Sequence, residues 1–196
     1  MMMKKILLVL IIILTVFNIK VFAQPFSNNS FKVGAGIGIM EGLRETGMGT
    51  IISLGYQKSL WKDRLRINPN IMVGGFTPVV ITDVRDQYIR ITSLGFNGYL
   101  DALKFKSVSI FIGTGGFLNY SRGLLGTGGW PESGNTSSQY FFKLYYGGYL
   151  TGGLRINPSK SRIAYELTPI NVCFGNESFV IIFLKFGIDI KLNENN

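Results

Sequence analysis

The chain has 196 residues, 20 Lys and Arg against 11 Asp and Glu for a net charge of +9, no histidine and one cysteine. The missing histidine removes Ser-His-Asp catalysis, histidine-based general base catalysis and most zinc sites, and the lone Cys173 excludes an intramolecular disulfide. Charged residues make up 16% of the chain, below the usual value of about 25%.

The N-terminus has three parts: the positive pair Lys4-Lys5, an apolar run over residues 6–17 broken only by Thr15, and a small-residue end at Val21-Phe22-Ala23. That is the pattern of a secretory signal peptide, with cleavage expected between Ala23 and Gln24. The run is about twelve residues, short of the roughly 20 that a spanning helix needs. The expected organisation is a signal peptide over 1–23 and one domain over 24–196, in which the net charge falls to +6. Lys and Arg form no cluster, so the basic balance of an exported chain points to anionic lipid headgroups or lipopolysaccharide and not to nucleic acid.

A period of two then dominates. After a polar leader over 24–30, residues 31–39 place Phe31, Val33, Ala35, Ile37 and Ile39 on one face and Lys32, Gly34, Gly36 and Gly38 on the other. Past a loop over 40–49, residues 50–60 set Ile52, Leu54, Tyr56 and Leu60 against Ser53, Gly55, Gln57 and Ser59. A tight turn at 61–64 leads into 65–74, where Leu65, Ile67, Ile71 and Val73 oppose Arg66, Asn68 and Asn70. Pro69 cannot donate to a ladder and predicts a bulge there. Beyond a loop over 75–87, residues 88–100 change phase from Ile89 and Ile91 to Leu94, Phe96 and Leu100, which predicts one extra residue near Thr92-Ser93.

A turn over 101–106 precedes 107–120, where Val108, Ile110, Ile112, Leu118 and Tyr120 oppose Ser109, Phe111, Phe117 and Asn119. The longest loop, 121–139, carries Trp130-Pro131. Residues 140–156 alternate Phe142, Leu144, Tyr146, Leu150 and Leu154 with Lys143, Tyr145, Tyr149, Thr151 and Arg155. A turn at 157–161 is followed by 162–174, with Ile163, Tyr165 and Leu167 against Glu166 and Thr168. After a last turn at 175–177, the stretch 179–192 sets Leu184, Phe186, Ile188, Ile190 and Leu192 against Lys185, Gly187, Asp189 and Lys191.

Eight strands joined by alternately long and short connections describe an antiparallel up-and-down meander, an all-β domain with no substantial helix. The final strand, 14 residues, exceeds the usual 5–6 and matches the roughly 9–11 of a tilted bilayer crossing. Alternation does not say which face looks inward. A soluble lipocalin-like barrel turns its apolar face to a central ligand, and a membrane barrel turns it to lipid. The polar faces here are mostly Gly, Ser, Thr and Asn with isolated charges, a composition suited to a narrow lumen and a poor solvated surface. Tyr56, Trp61, Tyr88, Tyr120, Tyr140 and Tyr165 lie towards strand ends, as interfacial girdles do. Together these favour an eight-stranded transmembrane β-barrel.

In this architecture the chain resembles the small eight-stranded outer-membrane barrels of the outer membrane protein X, A and W kind. Its last strand is similar to the assembly signal that the barrel-insertion machinery reads in such proteins, on Lys185, Gly187, Ile190 and Leu192. It continues as Asn193-Glu194-Asn195-Asn196, where many members end on Phe or Trp. The resemblance implies a bacterial outer-membrane location, with lipid, lipopolysaccharide and the insertion machinery as partners. Enzymes of this shape rely on histidine, so a non-enzymatic protein without cofactor, metal or catalytic residues is expected.

Lys32, Arg66, Lys143, Arg155, Glu166, Lys185, Asp189 and Lys191 fall on the faces assigned to the lumen, where a salt-bridge network or, less simply, an ion path or gate is expected. Gly113-Thr114-Gly115-Gly116 and Gly126-Thr127-Gly128-Gly129 lack the Lys-Ser/Thr ending of a phosphate loop. Cys173 is expected as a buried, inert thiol. The loops over 75–87 and 121–139 would face the exterior, serving envelope integrity or binding a partner or surface polysaccharide. A conduit for small hydrophobic molecules, an accessory subunit of an envelope secretion system and a soluble periplasmic ligand-binding barrel are the alternative functions.

Overall fold

A β-sheet placed in hydrocarbon has no water to satisfy an unpaired edge, so it must close on itself. The computed structural model describes residues 26–43, 45–61, 64–78, 87–126, 138–158 and 161–193. In it eight strands close in chain order: β1 (Phe26–Glu41), β2 (Thr46–Leu60), β3 (Leu65–Pro78), β4 (Tyr88–Phe105), β5 (Val108–Gly126), β6 (Ser138–Ile156), β7 (Ile163–Gly175) and β8 (Val180–Asn193). Every pair is antiparallel, and β8 closes the ring on β1 in a register running from Lys32 opposite Asp189 to Glu41 opposite Val180. The expected signal segment, with Ala23 and Gln24, and Trp130-Pro131 lie outside the described residues.

The apolar faces look out. Ile37, Ile52, Leu54, Leu94, Phe96, Ile112, Leu150, Leu184 and Phe186 are all between 45% and 60% exposed on the wall. Tyr56, Trp61, Tyr88, Tyr120 and Tyr140 join them there. This direction overturns the soluble ligand-binding alternative, because a barrel in water does not present a wall of large apolar side chains on every strand to its solvent. Inward positions 34, 36 and 38 of β1 are glycine for steric reasons: a Cβ on Gly38 would sit 2.4 Å from the Ile182 carbonyl oxygen and 2.5 Å from the Phe183 Cβ. That close approach brings β8 against β1 in a narrow ring.

Two expected bulges and several strand boundaries are corrected. Pro69 makes no bulge: the β3–β4 register runs unbroken from Leu65 opposite Leu100 to Phe76 opposite Ile89, and Pro69 stays in line. Nor is there an extra residue at Thr92-Ser93. Ile89 and Ile91 instead point inward, in phase with Ser93, Asn97, Tyr99 and Asp101. The register shifts fall at 26–30 of β1, at 101–103 of β4 and at 168–171 of β7, where Pro169 interrupts the ladder. Strands also run further than the alternation suggested. The loop expected over 40–49 shrinks to 42–45, β3 extends to Pro78, β5 to Gly126 and β4 through the supposed turn to Phe105.

The β7 bulge is stitched by Asn171, which is fully buried. Its Nδ2 donates to the carbonyls of Thr168 at 2.8 Å and Phe183 at 2.9 Å, and its Oδ1 accepts from the Tyr149 hydroxyl at 2.6 Å and the Thr151 hydroxyl at 2.9 Å. One side chain thus satisfies the carbonyls that the lost ladder step frees.

Phe186 sits on the outer wall opposite Ala35 of β1 and Leu167 of β7, with its ring stacked 6.4 Å from that of Tyr165. Phe186→Arg places a guanidinium in the apolar band and is expected to cost about 2–4 kcal/mol. Urea titration of the protein refolded in lipid vesicles measures this, and Lys58→Arg, on an outward position near the opposite strand ends, should change little.

Candidate functional site

Charged side chains converge in the interior. Successive inward positions on each strand are two residues apart, so each strand contributes one side chain per layer. In the layer towards the short turns, Glu166 of β7 is the centre. Its Oε2 meets Lys32 Nζ of β1 and its Oε1 meets Arg66 Nη1 of β3, both as ion pairs. Arg155 of β6, directly opposite Glu166 in the β6–β7 register, places Nε 3.6 Å from Glu166 Oε1.

Two further carboxylates complete the layer. Arg66 Nη2 pairs with Asp101 Oδ1 at 2.7 Å, and Arg155 Nη2 pairs with Asp189 Oδ2 at 3.0 Å. Gln57 Nε2 donates to the same Asp189 oxygen at 2.6 Å. Three cations and three carboxylates therefore balance, all with side chains no more than 5% exposed. The rings of Tyr99 and Phe111, edge to face at 5.7 Å, lie under the cations: Lys32 Nζ is 4.5 Å from the Tyr99 centroid and the Arg66 guanidinium 4.8 Å from that of Phe111. Gly187, on β8 between Lys32 and Glu166, has no side chain to stand between them. A Cβ there would lie 3.8 Å from both Glu166 Cβ and Lys32 Cε.

Of the expected lumen residues, Lys32, Arg66, Arg155, Glu166 and Asp189 thus form one lattice. Lys143 does not join it: it pairs with Glu177 at 2.7 Å on the rim, both side chains 37% exposed. Its parity was inward, but it lies several layers away along β6. Lys191 donates to Asn157 Oδ1 at 2.6 Å beside the turn end. Lys185 lies one layer above the lattice, 7% exposed, and lines a cavity of about 20 Å³, room for one water. Of the expected assembly signal, Lys185 and Gly187 face inward, while Ile190 and Leu192 are exposed on the wall.

Sequence reasoning missed Asp101, assigned to a turn, and Gln57, a polar alternation residue without a flag. It also missed the character of the loop-end half of the lumen. There Met40, Ile89, Ile91, Phe179, Ile181 and Phe183 pack into an apolar plug. Tyr145 caps it: its ring stacks on Phe179 at 4.2 Å, and its hydroxyl donates to Glu45 Oε1 at 2.6 Å in the folded-in 42–45 connection. The phase change at Ile89 and Ile91 was the signal of this plug.

The lumen is thus closed twice, by charge and by packing. Gly113-Thr114-Gly115-Gly116 lies mid-strand in β5, and 127–129 of the second glycine motif lie outside the described residues. Cys173 is a buried free thiol in the apolar plug. Among the described residues no group of three or more His, Cys, Asp or Glu side chains is placed to hold a metal ion.

No protein-family model matches the chain, and no curated protein matches it by sequence. Its fold is similar to that of Neisserial surface protein A, at 14% identity and a TM-score of 0.57 over 86% of this chain and 100% of that one. It is likewise similar to Ail, the attachment invasion locus protein of Yersinia pestis, at 10% identity and a TM-score of 0.54 over 84% of this chain and 97% of that one. The expected resemblance to the small eight-stranded outer-membrane barrels holds at the level of fold.

Replacing Glu166 with Gln leaves three buried cations facing two carboxylates and is expected to cost about 3–5 kcal/mol. Adding Lys32→Met restores charge equality and should recover part of that loss. Urea midpoints of the folded protein in detergent, compared across the two variants, test the arrangement.

Proposed function

We propose that the chain is a non-enzymatic integral protein of the bacterial outer membrane, a filled barrel that serves as a rigid mount for its loop-end connections. Those over 79–87 and 127–137 are the surface through which it supports envelope integrity or binds a partner. The observation that carries this reading is the pairing of an apolar outer wall with a lumen closed by both an ion lattice and an apolar plug. A wall of that kind has lipid as its natural solvent, and an eight-stranded ring is narrow enough for its own side chains to fill. The terminal strand offers the insertion machinery an inward polar and glycine pair and outward Ile190 and Leu192. A conduit needs either an open lumen or a gap in the wall. The ladder instead continues across all eight seams, including β1–β8.

The expected results are recovery in the outer-membrane fraction, solubilisation only by detergent, and a band whose mobility changes when the sample is boiled. Reconstituted in planar bilayers, the protein should give no steady conductance. Recovery in the soluble periplasmic fraction would end the membrane reading, and sustained ohmic current would end the filled-barrel reading.

A further inference from the structure

The ion lattice is balanced, and one buried cation stands outside it. Lys185 of β8 is 7% exposed and lies one layer towards the loops from the three cations and three carboxylates. Among the described residues its ammonium forms no ion pair and donates no hydrogen bond. The carboxylates below it are taken. Glu166 already meets Lys32, Arg66 and Arg155, Asp101 pairs with Arg66, and Asp189 pairs with Arg155. A charge enclosed in a membrane-spanning structure is costly unless it is paired. At the depth of Lys185 the lumen therefore carries one positive charge in excess.

The space that could hold a counter-charge is shaped around it. Lys185 lines the cavity of about 20 Å³ together with Ser53, Asn70 and Asn97, and no carboxylate belongs to the lining. The stem of Lys185 passes Gly34: a Cβ there would sit 3.1 Å from Lys185 Cδ and 2.8 Å from Ser53 Oγ. Glycine at 34 thus seats both side chains. Asn97 turns its Oδ1 to Gly115, where a Cβ would sit 2.2 Å away, and this leaves its amide nitrogen for the cavity. Asn70 gives one N–H to the Asn68 carbonyl at 3.1 Å and keeps a second. An ammonium, a hydroxyl and amide nitrogens thus offer donors to one small space. Met72, Phe117 and Phe183 form its apolar wall.

We propose that this cavity is a binding site for one small monovalent anion, chloride, which pairs with the Lys185 ammonium. The volume admits one occupant of about the size of a water molecule and excludes phosphate and sulfate. A water there would satisfy hydrogen bonds and leave the charge uncompensated. Chloride does both, accepting from Lys185, Ser53 and Asn97. The ion lattice on one side and the apolar plug on the other close the space, so the ion is held as part of the barrel interior and is not conducted.

The test uses the full chain refolded in detergent and unfolded in urea, which is uncharged. Sodium chloride is exchanged for sodium gluconate, whose anion is too large for the cavity, at fixed ionic strength and pH. Above half-saturation the unfolding equilibrium constant is expected to fall about tenfold for each tenfold rise in chloride, the slope of one bound ion. Lys185→Met should remove that dependence, and Lys143→Met, on the rim, should keep it. Crystals of the unaltered protein grown with bromide in place of chloride should show one anomalous-scattering peak beside Lys185 Nζ, a readout that does not require the variant to fold. Equal stability in chloride and gluconate, a dependence that survives Lys185→Met, or a cavity without a bromide peak would overturn the site. Failure of the filled-barrel reading would appear separately, as sustained current in planar bilayers.

Discussion

The ladder between β1 and β8 is the constraint on which everything else rests. In hydrocarbon an unpaired backbone group costs several kcal/mol, so no edge of the sheet can be left open. Closing eight strands fixes a narrow ring, and the ring dictates the interior. Glycine at 34, 36 and 38 of β1 lets the seam close without collision. The same small residues leave room for long side chains from the facing strands to cross the lumen.

What fills that space divides by depth. Towards the short turns, long cations from β1, β3 and β6 converge on one carboxylate of β7, and two more carboxylates bring the layer to neutrality. Taking these groups out of water is expensive, and the cost is offset by the ion pairs that reach every charge of the layer and by the aromatic faces of Tyr99 and Phe111 against Lys32 and Arg66. Towards the loops most inward residues are apolar, and the Tyr145 hydroxyl among them is met by Glu45. Asn171 and its neighbours lie between the two, tying the irregular backbone of β7 to β8. The result is a barrel whose lumen adds rigidity and leaves the mouth and the outer wall as the surfaces available for recognition.

Much of this was legible in the residues. Alternation over 31–39 and 184–192 placed Phe31, Ile37, Leu184 and Phe186 on one face and Lys32, Lys185 and Asp189 on the other, and the structure keeps them there. Composition indicated which of the two faces meets lipid. Alternation reports a face and carries no information about depth. Lys143 has the inward parity of Arg155, yet it ends on the rim because it lies twelve positions earlier on the same strand. Ile89 and Ile91 look, by type, like wall residues out of phase; they are plug residues in phase. Asp101 opened a run that had the composition of a turn, and only the extension of β4 past it turned its side chain to Arg66.

The sequence by itself determined the number of strands, their order and the identity of the oily face, because a period of two and the positions of turn residues are local properties of the chain. The tertiary structure alone decided which charges meet. Glu166 lies 134 positions from Lys32 and 100 from Arg66, and it reaches them only because the closed ring brings β7 to within one strand of β1 and sets it across the lumen from β3. Contact across a lumen depends on register and shear summed around all the strands, and no local pattern encodes that sum.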